Sequence, residues 1–299
     1  MKYKDRSGEW IEEETITEKI YPILFGNPIG RFLTKPFTSP MFSQFIGAVL
    51  DSRLSVILTL PYKKMHKIDM KRYKPQFYES FNAFFMRETK EEYRVIDEEI
   101  GSMIAPAEGR MMLYPITEQQ TVTVKGAEYS ISSLLKSKKL ASRYAGGNAM
   151  VVHLSGGNSH HYCYVAEGIK GKNHYLQGNL QAFHPMIHEQ VKTYWENSRE
   201  FCRMRTEQFG EVIQMEVGAL SVGRICNLQE GIATVKKGEE KGCFAYGGSA
   251  IVVLFEKDKV DFDTDIVENS EKGIETSVRL GERVGYRKMK DPSMKYFSL

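Results

Sequence analysis

The sequence predicts an α+β fold: a helical N-terminal region (1–100) followed by a β-rich body of sandwich or barrel type (101–299). Three observations carry this. Phe42, Phe45, Ile46, Val49 and Leu50 recur at helical spacing, and Leu54, Ile57 and Leu58 continue the pattern. From about residue 101, short β-like runs alternate with Gly, Asn and charged turns. Strands do not alternate with regular helices, which argues against a doubly wound parallel sheet.

Taken in order, the apolar stretch is expected to end at Pro61. A basic run follows, with Lys63, Lys64, Lys67, Lys71, Arg72 and Lys74. An apolar helix beside a basic cluster has the make-up of an interfacial helix. A core helix followed by a solvated linker fits the same residues equally well. The aromatic segment 81–87 reads as core. Strands are expected at 121–124, 149–154, 212–217, 233–235 and 251–255.

The 299 residues suffice for one large domain or two modest ones, with a core that needs no disulfides. Hydrophobic content of 41% and charged content of 26% are ordinary for a soluble globular chain. A net charge of +3 leaves no footprint for a nucleic-acid partner. Cys163, Cys202, Cys226 and Cys243 lack C-x-x-C spacing, so no metal site is expected, and free thiols fit a reducing compartment. No apolar segment follows the first residues as a signal peptide requires. The stretch 42–60 is interrupted by Asp51, Ser52 and Arg53, which excludes a span and permits surface attachment.

The chemistry is expected at Tyr246-Gly247-Gly248-Ser249-Ala250, directly ahead of an apolar strand. Two glycines admit backbone conformations that a Cβ forbids, so the Ser249 hydroxyl can approach the Gly248 carbonyl. That suits a serine attacking its own chain; an ordinary turn also fits. Glu108 sits in a Pro/Gly turn (105–110), and the loop 155–163 delivers His160 and His161. Glycines at 218 and 223 mark a third segment where backbones pass closely. Serine, histidine and carboxylate together can activate a hydroxyl by general base catalysis. A turn-capping Glu108 and a structural His160 are the plainer alternatives.

Across nearly its whole length the chain resembles the phosphatidylserine decarboxylases, particularly the bacterial group with a Gly-Gly-Ser-Thr cleavage motif. The resemblance takes in Phe81-Asn82, Phe84-Phe85-Met86-Arg87, Ala105-Pro106-Ala107-Glu108-Gly109, Gln177-Gly178-Asn179-Leu180, Asn197-Ser198-Arg199-Glu200 and Met215-Glu216-Val217-Gly218. Its most specific part is Lys237-Gly238-Glu239-Glu240-Lys241-Gly242 leading to Gly247-Gly248-Ser249.

The resemblance implies that Ser249 attacks the Gly248 carbonyl and that elimination then splits the chain between Gly248 and Ser249. A β chain (1–248) and an α chain headed by a pyruvoyl group result. That group's carbonyl captures the substrate amine and accepts the electron pair left by CO2. Phosphatidylserine would become phosphatidylethanolamine. His160 is then the acid/base residue on the substrate side and Glu108 the carboxylate, with His161 and Cys163 as auxiliaries. The pattern departs from the family at Glu108 (usually Asp), Asn158 (Asp), Cys163 (His) and Ala250 (Thr). Two alternatives stay open: an inactive lipid- or partner-binding homologue, and a pyruvoyl decarboxylase of a soluble amino acid. Expected partners are phospholipid substrate, the membrane surface and the two chains of one precursor, with a homodimer left open. The expected location is peripheral, on the inner face of a bacterial cell membrane.

Overall fold

The computed structural model describes residues 1–13, 40–117, 121–124, 127–178, 197–218, 224–246 and 249–289. Its centre is an eleven-stranded sheet. The strands that position the site are β1 (Gly109–Pro115), β2 (Asn148–Leu154), β3 (His161–Cys163), β4 (Arg199–Thr206), β5 (Gly210–Gly218), β6 (Ile225–Asn227), β7 (Glu240–Phe244), β8 (Ser249–Phe255) and β9 (Thr276–Val278). The central order is β4-β5-β8-β2-β1-β9, all antiparallel. A separate three-stranded sheet runs β6-β7-β3.

Strand β8 explains why the sheet is buried on both faces. Its residues 250–255 have no exposed surface. Ile251, Val253 and Phe255 enter one core; Ala250, Val252 and Leu254 enter the other. Successive side chains point to opposite faces, so a strand between two cores must be apolar throughout. The first core also takes Tyr162 of β3 and Phe244 of β7, giving a sandwich-like layer between the small sheet and the large one. The second core is covered by the short helix Ile131–Leu135 and the paired strands Val122–Val124 and Ala127–Tyr129.

The N-terminal part is helical over α1 (Pro40–Asp51), α2 (Thr59–Met65) and α3 (Phe81–Phe85). Two details depart from the sequence reading. Lys2–Lys4 and Trp10–Glu12 form a hairpin that extends the large sheet, with Lys4 beside Thr276 in the parallel sense. The alternation around Tyr3 and a turn with Gly8 at φ +90° favour strands there. Pro61 lies inside α2 rather than ending the apolar stretch. It occupies the first turn, where a missing N–H removes no helical bond. The segment 81–87 is core, as read from sequence: Phe81, Phe84 and Phe85 pack with Leu50, Ile68 and Tyr73 in a third cluster.

Glu275 ties the hairpin end of the sheet together. Its carboxylate meets His153 Nδ1 at 2.6 Å and Arg110 Nε at 2.8 Å, and Arg110 also pairs with Glu13. Burial alone would raise its pKa, but His153 and Arg110 outweigh it and hold the carboxyl at about 2. A carboxylate depressed in the fold stabilises above its unfolded pKa near 4.5 and loses that contribution as pH falls toward 2. Glu275→Gln is therefore expected to cost on the order of 3 kcal/mol at pH 7 in urea unfolding. The gap from the parent should close between pH 4.5 and 2. A pH-independent gap would contradict this account.

Candidate active site

The chain runs from β7 toward the Gly-Gly-Ser segment. Tyr246 is the last described residue before it, and its backbone N–H donates to Asn82 Oδ1 at 3.1 Å. The Tyr246 ring stands edge-on to Phe81 and Phe85, each at 5.2 Å between centroids. Phe85 in turn lies 3.9 Å from the His160 ring. Helix α3 thus joins the start of the cleavage turn to His160. Gly247, Gly248 and the Ser249 side chain lie outside the described residues. The Ser249 backbone opens β8, opposite Gly218 of β5 and Leu154 of β2.

The residue after Leu154 begins the histidine loop. Ser155 donates from its backbone N–H and its hydroxyl to Asn158 Oδ1, both at 2.8 Å. Asn158 Nδ2 donates to Glu108 Oε1 at 3.4 Å. Arg72 grips the same carboxylate through two bonds of 3.2 and 3.1 Å. Arg87, fully buried, donates to the Gly157 and Asn158 carbonyls at 2.9 Å each, and Tyr62 donates to the Gly156 carbonyl. A Cβ at Gly156 would come within 2.4 Å of the Tyr62 oxygen, and one at Gly109 within 2.5 Å of the His153 carbonyl. These close approaches set the glycines on either side of the site.

His160 is 1% exposed, with Nδ1 3.1 Å from the Asn158 carbonyl. A carbonyl only accepts, so this contact places a proton on Nδ1. Asn158 therefore links His160 and Glu108, its carbonyl accepting from the ring and its side-chain amide donating to the carboxylate.

The two auxiliaries have other partners. His161 Nδ1 meets Glu240 at 2.6 Å and Nε2 meets the Met86 carbonyl at 2.9 Å. Burial opposes a charge on this ring, but those two bonds outweigh it and raise its pKa. Glu240 is lowered, first by its bond to His161. Both ring nitrogens are thus committed to structure. Cys163 is fully buried against the Ala105 carbonyl, and burial pushes its thiol up to about 12. It stays protonated near neutral pH and offers no base there. A shallow cleft brings Arg72, Arg94, Glu108, His161, Glu240 and Arg279 to one opening.

Arg72, Asn82 and Arg87 were not singled out from sequence. Arg72 belongs to the basic run, yet it serves Glu108. Arg87 closes the aromatic segment, and its guanidinium stacks over Tyr73 at 4.5 Å and Phe84 at 5.2 Å. A cation directly after an apolar helix was the only local signal of a buried role.

The family profile for phosphatidylserine decarboxylase matches residues 81–286, which includes every residue of this site except Tyr62, Arg72 and Tyr73. The chain belongs to the phosphatidylserine decarboxylase family. It is 36% identical to "Phosphatidylserine decarboxylase proenzyme 2" of Clostridium acetobutylicum over 88% of this chain and 90% of that one. It is 34% identical to the phosphatidylserine decarboxylase proenzyme of Clostridium botulinum strain Eklund 17B (95% and 97% covered). The corresponding proenzyme of Fusobacterium nucleatum is 32% identical (95% and 96%).

Proposed function

We propose that this chain is a phosphatidylserine decarboxylase that matures by cleaving itself between Gly248 and Ser249, releasing CO2 and phosphatidylethanolamine in its working cycle. The observation that carries the reading is the position of Ser249. It follows two glycines, opens the central strand of the sheet and lies within the matched family segment. Seven backbone positions pair β8 with β5 on one side and with β2 on the other. A new chain end at residue 249 would thus stay anchored in the sheet after the bond breaks. Those strand partners fit a pyruvoyl group built from Ser249, which supplies an electron sink for decarboxylation.

The chain's own residues supply the rest. Asn158 and Arg72 hold Glu108, and the Asn158 carbonyl accepts from His160 Nδ1 and fixes the ring. His160 is the acid/base residue of this proposal. Peripheral attachment to the inner face of a bacterial membrane is supported by an apolar surface. Leu54 is 87% exposed, Ile57 77% and Leu60 69%. Among the described residues no single helix is long and apolar enough to cross a membrane, and the pair Phe45–Asp51 and Arg53–Met65 is bent by 79°. Tyr62 of α2 faces Tyr246 at 6.3 Å, so this surface adjoins the cleavage turn.

The deciding experiment is an intact mass spectrum of the purified protein, with CO2 release measured on phosphatidylserine vesicles and on free serine. Two chains, 1–248 and 249–299, with release from the phospholipid, are the expected result. An uncleaved chain that binds vesicles and releases nothing would identify an inactive homologue instead. Release from free serine alone would identify a soluble-substrate enzyme. For the attachment itself, Leu54→Asp with Ile57→Asp is expected to weaken binding to anionic vesicles about tenfold or more in a flotation assay, since two exposed apolar side chains are lost. Unchanged flotation would remove this surface from the account.

A further inference from the structure

The cysteines fall into two kinds. Cys163 and Cys202 have no exposed surface. Cys226 and Cys243 are half-buried and stand directly opposite each other on β6 and β7. On one side of them Ala245 N–H donates to the Arg224 carbonyl, and on the other Leu228 N–H donates to the Lys241 carbonyl. Opposed pairs alternate along an antiparallel ladder, so Cys226 and Cys243 also form a hydrogen-bonded pair. The Cα atoms of such a pair lie about 5.5 Å apart, inside the roughly 4.4–6.8 Å range of disulfides, and their side chains share one face.

We propose that Cys226 and Cys243 form a reversible dithiol–disulfide site, oxidised by small-molecule disulfides of the glutathione class. Cys226 is the attacking thiol. The neighbouring Cys243 thiol and Arg224 lower its pKa, whereas Cys243 is raised, first by Cys226. The Cys226 thiolate attacks one sulfur of the small disulfide and releases one thiolate. Cys243 then gives up its proton and attacks Cys226 sulfur, releasing the second. Two protein thiols are oxidised and one small disulfide is reduced to two thiols.

The bridge would join β6 to β7, the strand that runs into the cleavage turn. Both cysteines precede Gly248, so the bridge would lie within one chain before and after cleavage. Arg224 lies 3.9 Å from Asp51 of α1, and Asp51 accepts from Asn82, whose side chain holds Tyr246. Thiol site, apolar helices and cleavage turn are thus linked by contacts.

The test is incubation of the purified full-length protein in glutathione redox buffers, followed by acid quenching, alkylation and peptide mapping. Its readout is independent of decarboxylation. The expected result is one Cys226–Cys243 bridge that dithiothreitol reverses, with Cys163 and Cys202 untouched in the folded protein. Cys243→Ser should stop at a stable glutathione adduct on Cys226. Cys226→Ser should form no bridge and react at Cys243 about tenfold more slowly or worse at neutral pH. Adducts on both thiols without a bridge, a bridge to Cys163 or Cys202, or equal reactivity of the two variants would overturn the proposal.

Discussion

Ser249→Ala is expected to leave the 299-residue chain in one piece and to abolish decarboxylation of phosphatidylserine. The hydroxyl is the only atom at this position that can attack the Gly248 carbonyl, and alanine removes it while keeping the strand. Without cleavage no electron-accepting carbonyl forms from the chain. Activity should then fall to the uncatalysed level, a loss of about 10⁶-fold or more on ordinary enzyme accelerations. Fold and stability should be nearly unchanged, because residues 250–255 carry the buried surface of β8. Ser249→Cys, which keeps a nucleophile, is the informative companion: slow cleavage would separate loss of attack from loss of structure. Gel electrophoresis over hours and a CO2 assay read both. Two chains from the alanine variant would show that another residue cuts the chain.

Lys241→Met is expected to be the most damaging substitution for stability. Lys241 and Glu216 have side chains 1% and 0% exposed and meet at 2.5 Å. Asn227 completes the group, accepting from Lys241 at 2.8 Å and donating to Glu216 at 3.3 Å. Burial raises the Glu216 carboxyl even with the lysine present. Removing the cation strands a buried carboxylate, and breaking such a pair typically costs about 3–5 kcal/mol. Replacing both partners with apolar residues of similar size should recover most of the loss, because the penalty comes from the uncompensated charge. Urea unfolding of the single and double variants measures this. The pair also bears on the site: Glu216 stands opposite Ile251 on β8, two residues from the Gly218–Ser249 pair. The single variant should therefore mature more slowly than the double. Equal stability of the two would refute the stranded-charge account.

Local pattern and tertiary contact contributed differently to the site. The apolar run after Ser249 was readable as a buried strand because a strand between two cores needs apolar residues at every position. Glu108 and His160 were legible through the ordered segments that resemble the family. Their joining through Asn158 was not, because the bond spans 50 residues of sequence and depends on a loop folding back on itself. Arg72 looked like one member of a solvated or lipid-facing basic run. Its bidentate hold on Glu108 exists only because α2 and the segment after it pack beside the 105–108 turn. Cys163 stood in the family's second histidine position, and only burial showed it to be a protonated thiol.

The sequence by itself determined the α+β class, the order of the chemical segments and a serine directly ahead of a buried strand. These are encoded in periodicity and in short runs of residues, so neighbours along the chain suffice to read them. Tertiary structure alone decided that the N-terminal hairpin joins the sheet beside Thr276 and that Arg72 and Asn158 converge on Glu108. It also set His161 against Glu240 and Cys226 opposite Cys243. Each of these pairs residues distant in sequence, and their charge, tautomer or reactivity is set by burial and by partners that appear only once the chain has folded.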